Sequence, residues 1–447
     1  MRRTLLLFAG LFLVYALTAG LEAEGSSRFA GDEPHALLAA QSLIEDGDLD
    51  VSDDLRDRVY LEYQPAPVRP TGEVREGRLL EPVGTGFVAL IAPAFAVAGA
   101  TGVSLFLAAV GALAMALGYR LALRVVPDPW AVGAAAAVGL SPPVLVNATA
   151  VLPELMAGVC LAGAALLALR QEDRISRRET FVLFALLGLL PWLGLKFVPA
   201  GLLVGVFAAR ILWRARRRLL AVGATELATF SLAFWVGINQ ALYGGPTPYT
   251  AAGSPSGADT LPEYIERVPR AVTLFMDPEL GLLRWAPVLV LAFGGLFLLA
   301  RSMRGGLARV LPGAREIERT AGLCSAVIGA QLVVAVFLAP AIAGGAFPPR
   351  NLVAVLALAV PLVAWSLRHV PRVGAALAVV TVALSLWLAL DTAFGDGSLL
   401  PSGATKSRDR VSASPSTAPT KAITAATIRI SSRAPTNASR PAGMPRV

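Results

Sequence analysis

Only two cysteines and two histidines occur in 447 residues. Cys160 and Cys324 lie within apolar runs, where a thiol serves as a small core side chain. Two cysteines exclude a disulfide framework and a four-thiolate zinc site. His35 and His369 are far apart, and no zinc-type ligand spacing is present. Charge is scarce too: Asp, Glu, Lys and Arg make up 16% of the chain, against about 25% in soluble domains. Lysine is nearly missing, Lys196 being the only one before residue 398. The net charge of +8 therefore comes from arginines, which cluster between apolar runs. No soluble module carries the basic face of a nucleic-acid binder, so no nucleic-acid partner is expected.

What the chain has in abundance is hydrocarbon. It is 55% hydrophobic, with a mean hydropathy of +0.64. Apolar runs occupy about 4–21, 83–100, 103–123, 129–147, 154–169, 179–195, 197–213, 219–242, 282–300, 320–343, 351–367 and 373–391. Most are near the length that crosses a bilayer, which predicts an all-α polytopic integral membrane protein. Met1-Arg2-Arg3 before "TLLLFAGLFLVYALTAGL" has the form of a signal peptide, but a cleavage site is weakly signalled and a retained first span is expected.

The arginines set the orientation. If all twelve runs cross, the clusters at 170–178 and 214–218 fall outside, against the positive-inside bias. Run 83–100 is interrupted by Gly84, Gly86, Pro93 and Gly99; taken as not crossing, it leaves the clusters at 120–124, 170–178, 210–218, 301–319 and 368–372 all in the cytoplasm. The prediction is about eleven transmembrane helices with the N-terminus cytoplasmic. Two long connections, 22–82 and 243–281, then lie outside, with Glu154, Lys196 and Arg350 at helix mouths on the same face. Residues 1–397 form the membrane domain. Residues 398–447, rich in Ser, Thr, Ala and Pro, are expected to be a disordered low-complexity tail.

The first loop is acidic in a basic protein: "GDEPHALLAAQSLIEDGDLD". Pro34 suits a first helical turn, Asp32 and Glu33 suit its cap and dipole, and Gly47 suits its stop. Leu37, Ala40, Leu43 and Ile44 form a stripe that would rest this juxtamembrane helix on the membrane surface. Besides capping, a carboxylate at this position can act as a general base.

Directly after a first span, this run resembles the first external loop of GT-C-type glycosyltransferases, multi-span enzymes that use polyprenyl-phosphate sugars and include protein mannosyltransferases and aminoarabinose transferases. "SPPVLVNATAVLPE" (141–154), "FMDPELGLLRWAPV" (275–288) and "GGAFPPRNLVAVLALAVPL" (344–362) are similar to bacterial members of that group. With the hydropathy profile, the likeness spans roughly residues 1–391. It implies a GT-C-like fold in the cell (plasma) membrane with an extracytoplasmic active site. The implied reaction is inverting transfer of a sugar from a polyprenyl-phosphate donor to a glycan, lipid or protein of the cell envelope. The family's acidic pair maps onto Asp32 and Glu33, Asp32 being the expected base.

For the donor phosphate, Lys196 and Arg350 are the leading ligands, with Arg284 behind them; each also has a snorkelling or anchoring alternative. Glu154, Asp277 and Tyr249 are candidate substrate contacts, although a first-turn acid, a turn residue and an interface anchor explain them as well. No cofactor is indicated with certainty by these residues. A divalent cation between carboxylates and a diphosphate is the one metal role left open. The rival function is a transporter or flippase of a lipid-linked saccharide, which would hold its charges near the midplane on broken helices.

Overall fold

A computed structural model of the chain describes residues 1–400 apart from 26, 73, 250–259, 304–311, 340–346, 348 and 396. The tail expected to be disordered lies outside the described residues beyond Leu400, as does part of the second long loop. The described chain is mostly helical, since the backbone in hydrocarbon must satisfy its own amides.

The bundle comprises α1 (Arg2–Thr18), α4 (Thr85–Ala122), α5 (Trp130–Gly139), α6 (Pro142–Asn147), α7 (Glu154–Asp173), α8 (Arg177–Leu193), α9 (Val198–Arg214) and α10 (Arg218–Tyr243). It continues through α13 (Leu282–Trp285), α14 (Val290–Met303), α15 (Pro312–Val333), α16 (Arg350–Val353), α17 (Leu356–His369) and α18 (Pro371–Phe394). The first loop adds α2 (Glu33–Glu45), α3 (Ser52–Asp57) and a hairpin, β1 (Val74–Arg75) with β2 (Arg78–Leu79). The second contributes α11 (Leu261–Glu266) and α12 (Arg270–Met276).

Among the described residues, six helical stretches are long and apolar enough to cross a membrane by length and composition, so the expected eleven are not confirmed; of the other five, α1 and α8 are unbroken helices of 17 residues each. The difference has a local origin. Three of the expected spans are broken: 129–147 at Ser141 before Pro142-Pro143, 282–300 at Ala286-Pro287, and 351–367 at Ala354-Val355. Proline explains the first two, because it removes an amide and turns its predecessor out of the helical region. No proline marks the third; there α7 lies close, and a Cβ on Gly158 would stand 3.0 Å from the Ala354 carbonyl oxygen, while α4 lies against α17 just beyond. A Cβ on Gly118 of α4 would stand 2.6 Å from the Ala357 carbonyl oxygen, so glycine is what permits the approach.

Run 83–100 is helical, but α4 bends at Ala98 and Gly99, the latter at φ +57°. Its first arm, 85–97, is about 20 Å long at 1.5 Å per residue, short of a hydrocarbon core of about 30 Å.

Burial inside the bundle relies on small side chains. Ala134, Ala135, Ala157, Ala164, Ala165, Ala168 and Ala364 are fully buried, as expected where close backbone approach drives helix association. The arginine-rich ends meet acids at one end of the bundle. Arg3 pairs with Asp128 at 2.6 Å, Arg124 with Asp173 and Glu316 at 3.1 Å, and Arg319 with Glu172 at 2.8 Å. Glu154 opens α7 and Asp173 closes it, so the first loop sits at the other end, about 30 Å away along that helix.

The expectation that α2 rests an apolar stripe on the membrane is corrected. Leu37, Leu38 and Ala40 are fully buried within protein. One side packs on α4, and Leu38 joins a small core with Val51, Tyr60 and Leu79 from the rest of the loop. Burying one such leucine is worth about 2 kcal/mol, so the loop is a folded cap. Glu81 fixes its far side: its carboxylate accepts from the Thr71 amide at 3.2 Å and lies 3.3 Å from His35 Nδ1 on α2.

Candidate functional site

Asp32 stands at the N-cap position of α2 but makes no cap hydrogen bond. Instead its Oδ2 accepts from Arg350 Nη1 at 2.6 Å. Arg350, the first residue of α16, turns its Nε to Glu154 Oε1, again at 2.6 Å. Lys196, in the one-turn connection between α8 and α9, donates to the same Glu154 oxygen at 2.6 Å and to Asn351 Oδ1 at 3.4 Å. Four side chains from four distant segments thus form one chain of charge, Asp32–Arg350–Glu154–Lys196.

The two acids differ in environment. The Glu154 side chain has no exposure, while that of Asp32 is 55% exposed. Burial alone would push the Asp32 carboxyl up, but the Arg350 guanidinium outweighs it, with His35 and Lys196 assisting, so the group sits below its ordinary value. Oε2 of Glu154 is buried without a partner among the described residues. Both basic side chains are mostly covered, Arg350 at 15% and Lys196 at 23% exposed. A charge so placed is costly unless paired, which is why Glu154 carries both.

Glu33 is buried at the start of α2. Its Oε2 accepts from the Val151 amide at 2.8 Å and its Oε1 from the Ala30 amide at 3.4 Å. It therefore ties the first loop to the 148–152 turn just ahead of Glu154. Burial, chiefly, raises its carboxyl to about 7 against the pull of those two amides. A small opening lies beside it, lined by Arg28, Phe29, Thr149, Leu152 and Phe347 among others.

Of the remaining residues singled out from the sequence, Tyr249 lies close enough to Arg350, Asp32 and Glu154 to interact with their charges. Asp277 and Arg284 do not join the cluster. Asp277 Oδ1 closes a turn by accepting from the Glu279 and Leu280 amides, both at 2.8 Å. Arg284 is exposed over the ring of its neighbour Trp285. Trp285 itself is buried against Phe347, and Tyr243 is buried with its hydroxyl on the Glu81 carbonyl.

Asn351 escaped notice in the sequence, although its position beside Arg350 is a usable signal. Gln331 Nε2 holds its backbone carbonyl at 2.9 Å, which fixes the start of α16 against α15.

The arrangement offers a half-exposed carboxylate for a proton and two cations for an anion, next to a small opening. No protein-family model matches the sequence, and no curated protein matches it. Solved structures do match. The fold is similar to that of ArnT from Cupriavidus metallidurans bound to undecaprenyl phosphate, with a TM-score of 0.53 and 14% identity over 85% of this chain. The apo state of the same protein gives 0.51 and 14% over 83%. The match covers 62% and 61% of those chains, so this chain spans under two thirds of their length. A more distant match is the archaeal oligosaccharyltransferase AglB from Archaeoglobus fulgidus, at a TM-score of 0.43 and 12% identity over 90% of this chain and 56% of that one. The fold is GT-C-like, as the first loop's resemblance implied.

Proposed function

We propose that this chain is a membrane glycosyltransferase of GT-C type. It moves a sugar from a polyprenyl-phosphate donor to a hydroxyl of a cell-envelope glycan, lipid or protein. The site works on the face away from the arginine-rich end, taken as extracytoplasmic by the positive-inside bias. The observation that carries the reading is the bridge of Arg350 between Asp32 and Glu154, with Lys196 sharing the latter.

Transfer makes a bond from the acceptor oxygen to the anomeric carbon and breaks the bond from that carbon to the phosphate oxygen. The acceptor's proton goes to Asp32, and the departing phosphate gains negative charge. Cations already in place are the main way to stabilise such a leaving group. Arg350 presents a guanidinium fork and Lys196 a compact ammonium, which together suit a phosphate. Direct displacement inverts the anomeric centre.

Arg350 also links the two halves of the chemistry. While it holds Asp32, that carboxylate is a weakened base. A donor phosphate competes for the same guanidinium, and as Arg350 turns to it Asp32 regains basicity beside the acceptor. Glu33 positions Asp32 by pinning the start of α2 to Val151. Tyr249 flanks the sugar. The ArnT structure of similar fold holds undecaprenyl phosphate, which supports a lipid-phosphate donor. The transporter alternative is less well supported, because the charges gather at one end of the bundle and not at mid-depth.

The deciding experiment is transfer from a radiolabelled polyprenyl-phosphate sugar by the purified full chain, wild type beside Asp32→Asn. Loss of a general base lowers turnover by about 10²–10⁴-fold. Transfer at the wild-type rate by Asp32→Asn removes Asp32 from the chemistry.

A further inference from the structure

The far end of α2 carries a second acidic group that the transfer chemistry does not use. Asp46 follows the last turn of α2, and Asp53 and Asp54 sit in the first turn of α3. Gly47, at φ +78°, reverses the chain between them. Asp48 Oδ1 accepts from the Asp50 amide at 2.9 Å, and Asp50 Oδ1 accepts from Ser52 and Leu79 amides at 3.1 and 2.9 Å. The turn is thereby held, and one carboxylate oxygen from each of Asp46, Asp53 and Asp54 lies within 4.8 Å of the other two.

Asp54 makes the group more than a patch of surface acids. The residue is only 5% exposed, and its Oδ2 is sealed from solvent with no hydrogen-bond partner among the described residues. The charged groups that act on it are Asp53, Asp46, Glu45 and Asp48, all acidic. A buried carboxylate with one unpaired oxygen, set among further carboxylates, calls for an ion that neutralises them.

We infer that Asp46, Asp53 and Asp54 bind a divalent cation, and that the ion is calcium. Ligand oxygens at about 2.3–2.6 Å from one Ca²⁺ stand at most about 5 Å apart, which the cluster satisfies. An all-oxygen set without imidazole or thiolate selects a hard ion. Asp46 and Asp53 are exposed, so water completes the shell, an irregular geometry that calcium accepts and magnesium resists. Three carboxylates, two of them exposed, correspond to the weak range of extracellular modules, with Kd about 10⁻⁴–10⁻³ M. The ion would clamp the end of α2 to α3. Asp32 lies at the opposite end of that helix, about 20 Å away, so the site is separate from the charge chain and independent of the glycosyltransferase reading.

The test is equilibrium binding of ⁴⁵Ca²⁺ to the purified, chelator-treated full chain in detergent, with Mg²⁺ as competitor. The expected result is one Ca²⁺ per chain at sub-millimolar affinity, with Mg²⁺ about tenfold weaker or worse. Asp54→Asn abolishes binding. Asp53→Asn, an exposed change that leaves the loop folded, raises Kd about tenfold or more. Asp57→Asn on the same helix and Asp32→Asn leave it unchanged. No binding up to about 10 mM, Mg²⁺ binding as tight as Ca²⁺, or Ca²⁺ affinity indifferent to Asp53→Asn would each overturn the assignment. If Asp54→Asn fails to fold, the Asp53→Asn titration decides alone.

Discussion

Replacing Glu154 by glutamine removes the one carboxylate that faces both Lys196 and Arg350 while nearly preserving shape. The side chain is fully buried, so solvent gives no screening to discount. Arg350 keeps Asp32, but Lys196 is left with Asn351 Oδ1 at 3.4 Å and a neutral amide. Removing one partner of a buried ion pair costs about 3–5 kcal/mol, largely through the charge left behind. At about 2 °C per kcal/mol for a large domain, the midpoint of thermal unfolding in detergent should fall by about 6–10 °C. Asp32→Asn offers the contrast. Its side chain is half exposed, and loss of so exposed a pairing costs about 1 kcal/mol or less. Stability and activity should therefore separate, Glu154→Gln damaging the fold and Asp32→Asn the turnover. Adding Lys196→Met to Glu154→Gln should restore part of the loss, because an uncharged pair of similar volume need not be worse than the ion pair. A melting curve for Glu154→Gln equal to wild type, or a larger drop for Asp32→Asn, would refute the claim that Glu154 bears both cations.

Three further outcomes are expected. Arg350→Lys keeps the charge but cannot reach Asp32 and Glu154 at once from one ammonium, so kcat/KM for the donor should fall about tenfold or more; unchanged donor kinetics would argue against a guanidinium fork. Glu33, with its carboxyl raised to about 7, stays protonated in the folded chain over a range where the unfolded chain has already released that proton. Its contribution is thus greatest below the ordinary value of 4.5, declines as pH rises to about 7 and then stays level, about 3 kcal/mol in all. Glu33→Gln should flatten that part of the stability–pH curve, and an identical slope in the variant would exclude Glu33 as its source. Gly118→Ala forces a Cβ against the Ala357 carbonyl and should cost about 1–3 kcal/mol, read by thermal unfolding; a neutral result would show that α17 moves aside freely.

The helices were legible because each apolar run had to satisfy its amides within itself. Asp32, Glu154, Lys196 and Arg350 were legible for a related reason: a charge beside hydrocarbon is expensive, so it stands out. Their mutual pairing was not, since nothing local in "LGLKF" or "PPRN" specifies a partner 42 or 196 residues away from Glu154. Asp277 and Arg284 had equal standing in sequence, yet a turn and a neighbouring ring satisfy them locally. The stripe on α2 gave the right helix and the wrong neighbour. Periodicity marks an apolar face, but it cannot tell a lipid surface from the loop's own small core around Tyr60. The breaks at Ser141 and Ala286 were marked by prolines, whereas the one at Ala354 lies where Gly158 of α7 comes close and has no such local mark.

On the proposed function, two cations converging on a single Glu154 oxygen would make an arriving donor phosphate compete with that carboxylate. If it drew Arg350 aside, the remaining lysine would have that oxygen to itself. Departure would run in reverse, and an emptied site would close on its own charges instead of standing open to any passing anion. Selectivity against stray inorganic anions can thus arise before any part of a sugar is recognised.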